Sequence, residues 1–251
     1  MYERMVQSLI ESNPSHRLAY GGDSRPGTTG RPNQDCIRIV DPEAPLSDEK
    51  GLLFIVADGL GGYGNGEVAS RMVCEELPRL YYESAGENCR AALLHAVMQM
   101  NAILYKASSA QGELHGMCTT LVAAVVRGDT LSVVHVGDSK AYLFRRGRVA
   151  YASTDHCIQI PTFESDGKRF LTQSLGARRT IAPSADEIRL THGDTIVLCT
   201  DGLSDSLLLE DIIEGSMADD PLAAVADLIQ AANEAGGTDD ISVIAAKVTM
   251  R

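Results

Sequence analysis

The chain has 251 residues, 44% hydrophobic and 22% charged, which is apolar material for a sizeable core in one large domain or two small ones. A formal net charge of -12 argues against a nucleic-acid or anionic-membrane partner, since either would need a basic patch to displace counterions. No apolar run approaches the ~20 residues that span a bilayer, and Glu3, Arg4 and Glu11 interrupt the N-terminus, so neither a membrane helix nor a signal peptide is expected.

In chain order, strand-like runs occupy 17–20 and 36–40, and the proline-containing stretch 41–50 reads as a loop. The apolar run 52–57 is a buried strand that stops at Asp58-Gly59. Two helix-length segments follow, 66–84 and 89–110; the second sets Ala92, Leu93, Ala96, Val97, Met100 and Ile103 on one core-facing side. Strand runs then crowd together at 120–127, 131–136, 141–145 and 149–152. Arg127-Gly128-Asp129 and Arg146-Gly147-Arg148 form tight hairpin connections between them. Further strands are expected at 187–190, 195–199 and 241–248, with a helix at 221–234 that begins on Pro221 after an aspartate cap. Helices inserted in pairs among runs of strands predict an α+β sandwich of mostly antiparallel sheets rather than a doubly wound parallel sheet. Cys36, Cys74, Cys89, Cys118, Cys157 and Cys199 show no CxxC pairing and read as reduced thiols of a cytoplasmic protein.

The aspartates carry the chemistry. The run 52–57 stops at Asp58-Gly59, 195–199 runs through Thr200 to Asp201-Gly202, and 131–136 stops at Gly137-Asp138-Ser139. Asp35 and Asp239-Asp240 instead precede strands. In antiparallel sheets the start of one strand lies beside the end of its neighbour, so these carboxylates can converge on one edge. Converged carboxylates repel unless a cation lies between them. Oxygen-only donors favour Mg²⁺ or Mn²⁺ over Zn²⁺. The glycine after each Asp is expected to let the backbone turn sharply toward the ion. A single Asp-Gly is an ordinary turn signal; two copies, with Gly61-Gly62 beyond the first, say more.

Seven motifs in order then carry a resemblance. Asn33-Gln34-Asp35, Asp58-Gly59-Leu60-Gly61-Gly62, Cys118-Thr119-Thr120, Gly137-Asp138-Ser139-Lys140-Ala141-Tyr142, Thr154-Asp155-His156, Cys199-Thr200-Asp201-Gly202-Leu203-Ser204-Asp205 and Asp239-Asp240-Ile241-Ser242 resemble the metal-dependent Ser/Thr protein phosphatases of the 2C type in their bacterial form. The resemblance implies a four-layer α-β-β-α sandwich of two antiparallel sheets flanked by helix pairs, one domain over 1–251 with 1–15 as an N-terminal extension. It implies two Mg²⁺ or Mn²⁺ ions. Asp58 would bridge them, the Gly59 carbonyl would bind one, Asp201 and Asp239 would complete the other, and Asp35 would bind directly or through water. Asp138, with Asp201, matches a third-ion site. The implied reaction is attack of a metal-activated water on phosphoserine or phosphothreonine, with no Cys or Ser nucleophile. Ser139, Ser204, His135 and His156 are then structural. The implied partner is a phosphorylated protein, the substrate of a Ser/Thr kinase, with no nucleic acid and no membrane.

The sequence departs from the family pattern at several points. Arg31 is the candidate phosphate-binding residue, one position closer to Asp35 than the family spacing, with Arg25 as the fallback. Gln34 replaces a Glu, Leu60 stands where eukaryotic relatives carry a proton-donating His, and Asp240 replaces an Asn. The stretch 156–175, where the family has a substrate-selecting flap, is short and matches poorly. Alternative readings are a catalytically silent, phosphatase-like regulator binding a phosphorylated partner, and a phosphatase for small phosphate esters.

Overall fold

The structure, a computed structural model, describes residues 8–13, 16–42, 49–60, 65–86, 88–110, 116–162 and 165–250. It opens with strands β1 (Ser8–Asn13), β2 (His16–Arg25), β3 (Asp35–Val40) and β4 (Leu52–Leu60), followed by helices α1 (Gly66–Tyr82) and α2 (Cys89–Ala110). Next come β5 (Cys118–Thr119), β6 (Leu121–Arg127), β7 (Thr130–Val136), β8 (Lys140–Arg145) and β9 (Arg148–Ala152). A hairpin of β10 (Cys157–Thr162) and β11 (Ser165–Leu171) precedes β12 (Ser184–Arg189) and β13 (Thr195–Cys199). The chain closes with α3 (Asp201–Ser204), α4 (Leu209–Ser216), α5 (Pro221–Glu234) and β14 (Ile241–Met250).

One sheet runs β1-β2-β14-β13-β8-β9 and the other β12-β7-β6-β4-β3, with β5 added to β4 and β10-β11 standing apart as a two-stranded ribbon. The pairing is antiparallel throughout. Period-two alternation builds the layers. Along β4, Leu52, Phe54 and Val56 fill the space between the sheets, while Leu53, Ile55 and Ala57 pack under α1 and α2. Along β13, Ile196 and Leu198 face the other sheet, while Val197 and Cys199 meet Ile212 of α4 and Val225, Leu228 and Ile229 of α5. The result is the four-layer α-β-β-α sandwich expected. Each fully buried Leu, Ile or Phe contributes roughly 1.5–3 kcal/mol, so three apolar layers hold the strand ends in fixed positions.

Local signals explain the ends of several elements. Asp220 caps α5, its side chain accepting from the Leu222 amide, with Pro221 at the first position. At the β8–β9 turn Arg146 and Gly147 both adopt positive φ, 53° and 69°, the backbone a two-residue hairpin of this twist needs. Other expectations are corrected. The strand at 17–20 extends from His16 to Arg25, because β14 pairs with it along its whole length. β4 does not stop before Asp58 but continues to Leu60, since β3 and β5 both pair with its end. The strand expected at 187–190 lies at Ser184–Arg189. Most of the stretch 156–175, the poor match to the family's flap, is the β10–β11 hairpin. Residues 43–48 of the expected 41–50 loop, and Gly61-Gly62, lie outside the described residues.

Candidate metal centre

Two neighbouring strands in each sheet bring the aspartates together. In one sheet β3 and β4 pair in a register that sets Asp35 directly opposite Asp58. In the other, β13 and β14 pair antiparallel from Cys199↔Val243. Asp201, two residues past the end of β13, and Asp239, two residues before β14, therefore share one edge. Thr200 joins the sheets: its hydroxyl donates to Asp35 Oδ2 at 2.9 Å and accepts from the Ser242 amide at 3.0 Å.

Neutral groups hold the backbone of these residues. The Asp58 amide donates to Thr120 Oγ1 (3.0 Å), and its carbonyl accepts from the Thr120 amide (2.8 Å) and the Thr119 hydroxyl (2.7 Å). Thr120 Oγ1 also lies 2.6 Å from Ser139 Oγ, so Ser139 supports this corner of the site and is itself buried. The Asp35 amide donates to Asn33 Oδ1, and Asn33 Nδ2 donates to Ser24 Oγ. The motif residues Thr119, Thr120 and Thr200 thus aim Asp58 and Asp35, a role their place in the sequence does not reveal.

The glycines of Asp58-Gly59 and Asp201-Gly202 serve close approach rather than sharp turning. Neither has a positive φ. A Cβ on Gly59 would collide with the backbone of Gly66 at the start of α1, and one on Gly202 with the Asp240 carbonyl. The Gly59 amide donates to Gln34 O (3.1 Å), locking the end of β4 against the loop before Asp35.

The electrostatics are those of a mutually repelling anionic cluster. Burial, then Asp35, Asp201, Asp239 and Asp138, hold the Asp58 carboxyl well above its usual range. Asp35 is also raised, by burial and by Asp240 and Asp201, against the lowering hydrogen bonds from Ser242 and Thr200. Burial, Asp138 and Asp239 push Asp201 up to about 7, and its Oδ1 is buried without a hydrogen-bond partner among the described residues. Asp239 sits exposed at the rim. Among the described residues no three His, Cys, Asp or Glu side chains already close on a common point at metal-ligand spacing. The donor set nevertheless fits a hard divalent cation. It is all oxygen, mutually repelling and partly orphaned, and a positive charge is what would relieve it.

The remaining sequence candidates fall at the margins. Arg31 is exposed on the loop 26–34, and Arg25 is engaged with Asp23 (Nε to Oδ2 2.9 Å). Asp240, the residue that replaces Asn, accepts from the Gly27 amide (2.9 Å) and the Gln34 amide (2.7 Å), one on each carboxylate oxygen, and so straps down the loop that carries Arg31. His135 and His156 stack at 4.8 Å and bond to Thr154 O, the Gly137 amide and Ser184 Oγ, which is structural work. Asp138 Oδ2 accepts from Arg169 Nη2 (3.1 Å) and Cys157 Sγ (3.4 Å). Arg169 escaped the sequence reading, because it lies in a stretch without motif and meets its partners only through tertiary contact.

A family model described as Protein phosphatase 2C matches residues 26–241. The chain is 31% identical over 207 residues to the Serine/threonine protein phosphatase PstP of Mycobacterium tuberculosis, covering 78% of this chain and 40% of that protein. It is 28% identical over 211 residues to the Serine/threonine phosphatase stp of Listeria welshimeri, covering 76% of this chain and 82% of that one. Among solved structures it is similar to the catalytic domain of PstP in complex with two manganese ions. That likeness has a TM-score of 0.78 and 29% identity, covering 93% of this chain and 99% of the other. A serine/threonine phosphatase of S. agalactiae matches at TM-score 0.79 and 28% identity, covering 92% and 99%. The chain thus spans 40% of the length of the first of these curated relatives.

Proposed function

Because the chain belongs to the protein phosphatase 2C family, we propose that it hydrolyses phosphoserine and phosphothreonine in proteins, using two Mg²⁺ or Mn²⁺ ions, with residues 1–251 acting as one catalytic domain. The observation that carries this reading is the meeting of Asp35 and Asp58 from one sheet with Asp201 and Asp239 from the other. The relatives named as serine/threonine phosphatases, and the two manganese ions in the similar PstP catalytic domain, support it.

Asp58 would bridge the ions, with the Gly59 carbonyl on one and Asp201 and Asp239 on the other; Asp35 would bind directly or through water. When bound, two such ions lower the pKa of a shared water toward neutrality and neutralise charge on a transferring phosphoryl group. The chain's own part is orientation. Thr119 and Thr120 fix Asp58, Asn33 and Thr200 fix Asp35, and Asp240 fixes the loop bearing Arg31. The Arg31 guanidinium suits bidentate capture of the phosphoryl oxygens. No thiol serves as nucleophile beside Asp138: burial and Asp138 itself push Cys157 up to about 11, leaving it protonated at neutral pH. A Ser/Thr kinase would supply the phosphorylated protein. The cytoplasm is the proposed location, and among the described residues no helix is long and apolar enough to cross a membrane.

The test is turnover of para-nitrophenyl phosphate and of a phosphothreonine peptide across Mn²⁺ and Mg²⁺ concentrations, wild type beside Asp58→Asn. Metal-dependent turnover that Asp58→Asn abolishes is expected. Absence of turnover on both substrates at every metal concentration sinks the reading.

A further inference from the structure

The β10–β11 hairpin has two unlike faces. Ile158 pairs with Phe170 and Cys157 with Leu171; alternation then puts Ile158 and Phe170 on one side and Cys157 and Arg169 on the other. The first side is open to solvent, with Ile158 52% and Phe170 41% exposed. The second faces the acid edge. Arg169 Nη2 lies 3.1 Å from Asp138 Oδ2 and 3.8 Å from Asp155 Oδ2, and its Nη1 lies 3.1 Å from Asp205 Oδ1. Asp155 is also paired with Lys140. A two-stranded ribbon is marginal by itself. The Thr172 amide and hydroxyl, both donating to His156 O at 2.7 Å, close its own base; it is seated on the body by Arg169, by Cys157 reaching Asp138, and by the His156 amide donating to Gly137 O at 2.9 Å.

We infer that Arg169 is a tethered cation filling the place at Asp138 that a third divalent ion would take, so that the docked hairpin and a third ion exclude one another. The inference rests on the two-ion site proposed above. Its physical basis is twofold. One of the two Asp138 oxygens, Oδ2, already accepts from Arg169 and Cys157. A divalent charge at Asp138 would also stand within a few ångströms of a guanidinium 3.1 Å from its Oδ2, and arginine keeps its proton at any working pH. Either the guanidinium leaves, taking the hairpin's ion-pair anchor with it, or the ion stays out. Arg169 therefore supplies fixed positive charge to the side of the cluster where a third ion would otherwise supply it.

The experiment is calorimetric titration of the whole chain with Mn²⁺, comparing wild type, Arg169→Ala, Arg169→Lys and Asp138→Asn. Hydrogen exchange of the amides in β10 and β11 is followed at each metal concentration. Two tight ions are expected in wild type and both Arg169 variants. A third ion should bind Arg169→Ala about tenfold tighter than wild type, or more. Arg169→Lys, which keeps the charge, should stay near wild type, and Asp138→Asn should lose the third ion. In wild type, hairpin exchange should rise only over the Mn²⁺ range where the third ion enters. Equal third-ion affinity in wild type and Arg169→Ala, or a third ion entering wild type with hairpin exchange unchanged, overturns the inference. Absence of the two tight ions in wild type would instead overturn the metal site itself, and this inference with it.

Discussion

Strand β13 has an aspartate near each end, Asp194 fully buried and Asp201 half-buried, and the two could hardly be treated more differently. Asp194, just before the strand, is 0% exposed, and every bond it can accept is made. Arg145 donates to both its oxygens at 2.8 Å, and the Thr191 amide (2.8 Å) and hydroxyl (3.1 Å) supply the rest. Asp201, just after the strand, has one oxygen buried without a partner and carboxylates for neighbours. Burial of a carboxylate is therefore no guide to function. What its oxygens meet is the guide: a fork of donors makes Asp194 a staple, whereas unrelieved repulsion makes Asp201 a place that gains from a cation.

Substitutions sharpen this contrast. The largest effect is expected at the site: Asp58→Asn should lower kcat/KM on a phosphothreonine peptide more than about 100-fold at saturating Mn²⁺, above the cost of losing a group that merely supports a metal ligand. A loss below tenfold would place the chemistry elsewhere. Next come the two ends of β13 in urea unfolding of metal-free protein. Asp194→Ala should cost about 2 kcal/mol, because it removes the acceptor of four hydrogen bonds and leaves the Thr191 amide unpaired, whereas Asp201→Asn should leave stability unchanged or raise it. Destabilisation by both to the same degree would erase the distinction.

The pH dependence follows from the same repulsion. Asp201, ordinarily at 3.8, sits at about 7 in the fold. A raised acid holds its proton more firmly folded than unfolded, so this contribution to stability is complete below 3.8 and is lost as pH rises through about 7. The melting temperature of the metal-free protein should carry a component that falls over that window. Saturating Mn²⁺ should remove it, since the ion takes the charged form. Asp201→Asn should shrink this component and leave the part due to Asp35 and Asp58, which the same burial and repulsion raise; a component undiminished in Asp201→Asn would assign all of it to them. The smallest expected effect is at Asp240→Asn. The amide keeps one acceptor for the Gly27 and Gln34 amides where the carboxylate offers two, a loss of about 1 kcal/mol in loop positioning. KM for the phosphopeptide should rise roughly fivefold with kcat nearly unchanged, and an unchanged KM would detach the loop from substrate binding.

The layers were legible because burial writes itself locally: residues 52–57 alternate between two cores, and residues 89–110 keep one face apolar, whatever lies far away in the chain. That the aspartates would gather on one edge was legible too, since strand starts and ends must adjoin in antiparallel sheets. What the amino-acid order alone could not decide was partnership across distance. Asp35 stands opposite Asp58 only because β3 and β4 settle into one register out of several. Gly59 and Gly202 are glycines because Gly66 and Asp240 press on them, not because the chain turns there. Asp240 straps a loop more than 200 positions away (206 to Gln34), and Arg169 meets Asp138, Asp155 and Asp205 across the fold. Sequence patterns report which surface a residue shows; packing alone selects what that surface meets, and in this protein the charges at the site are set by those meetings.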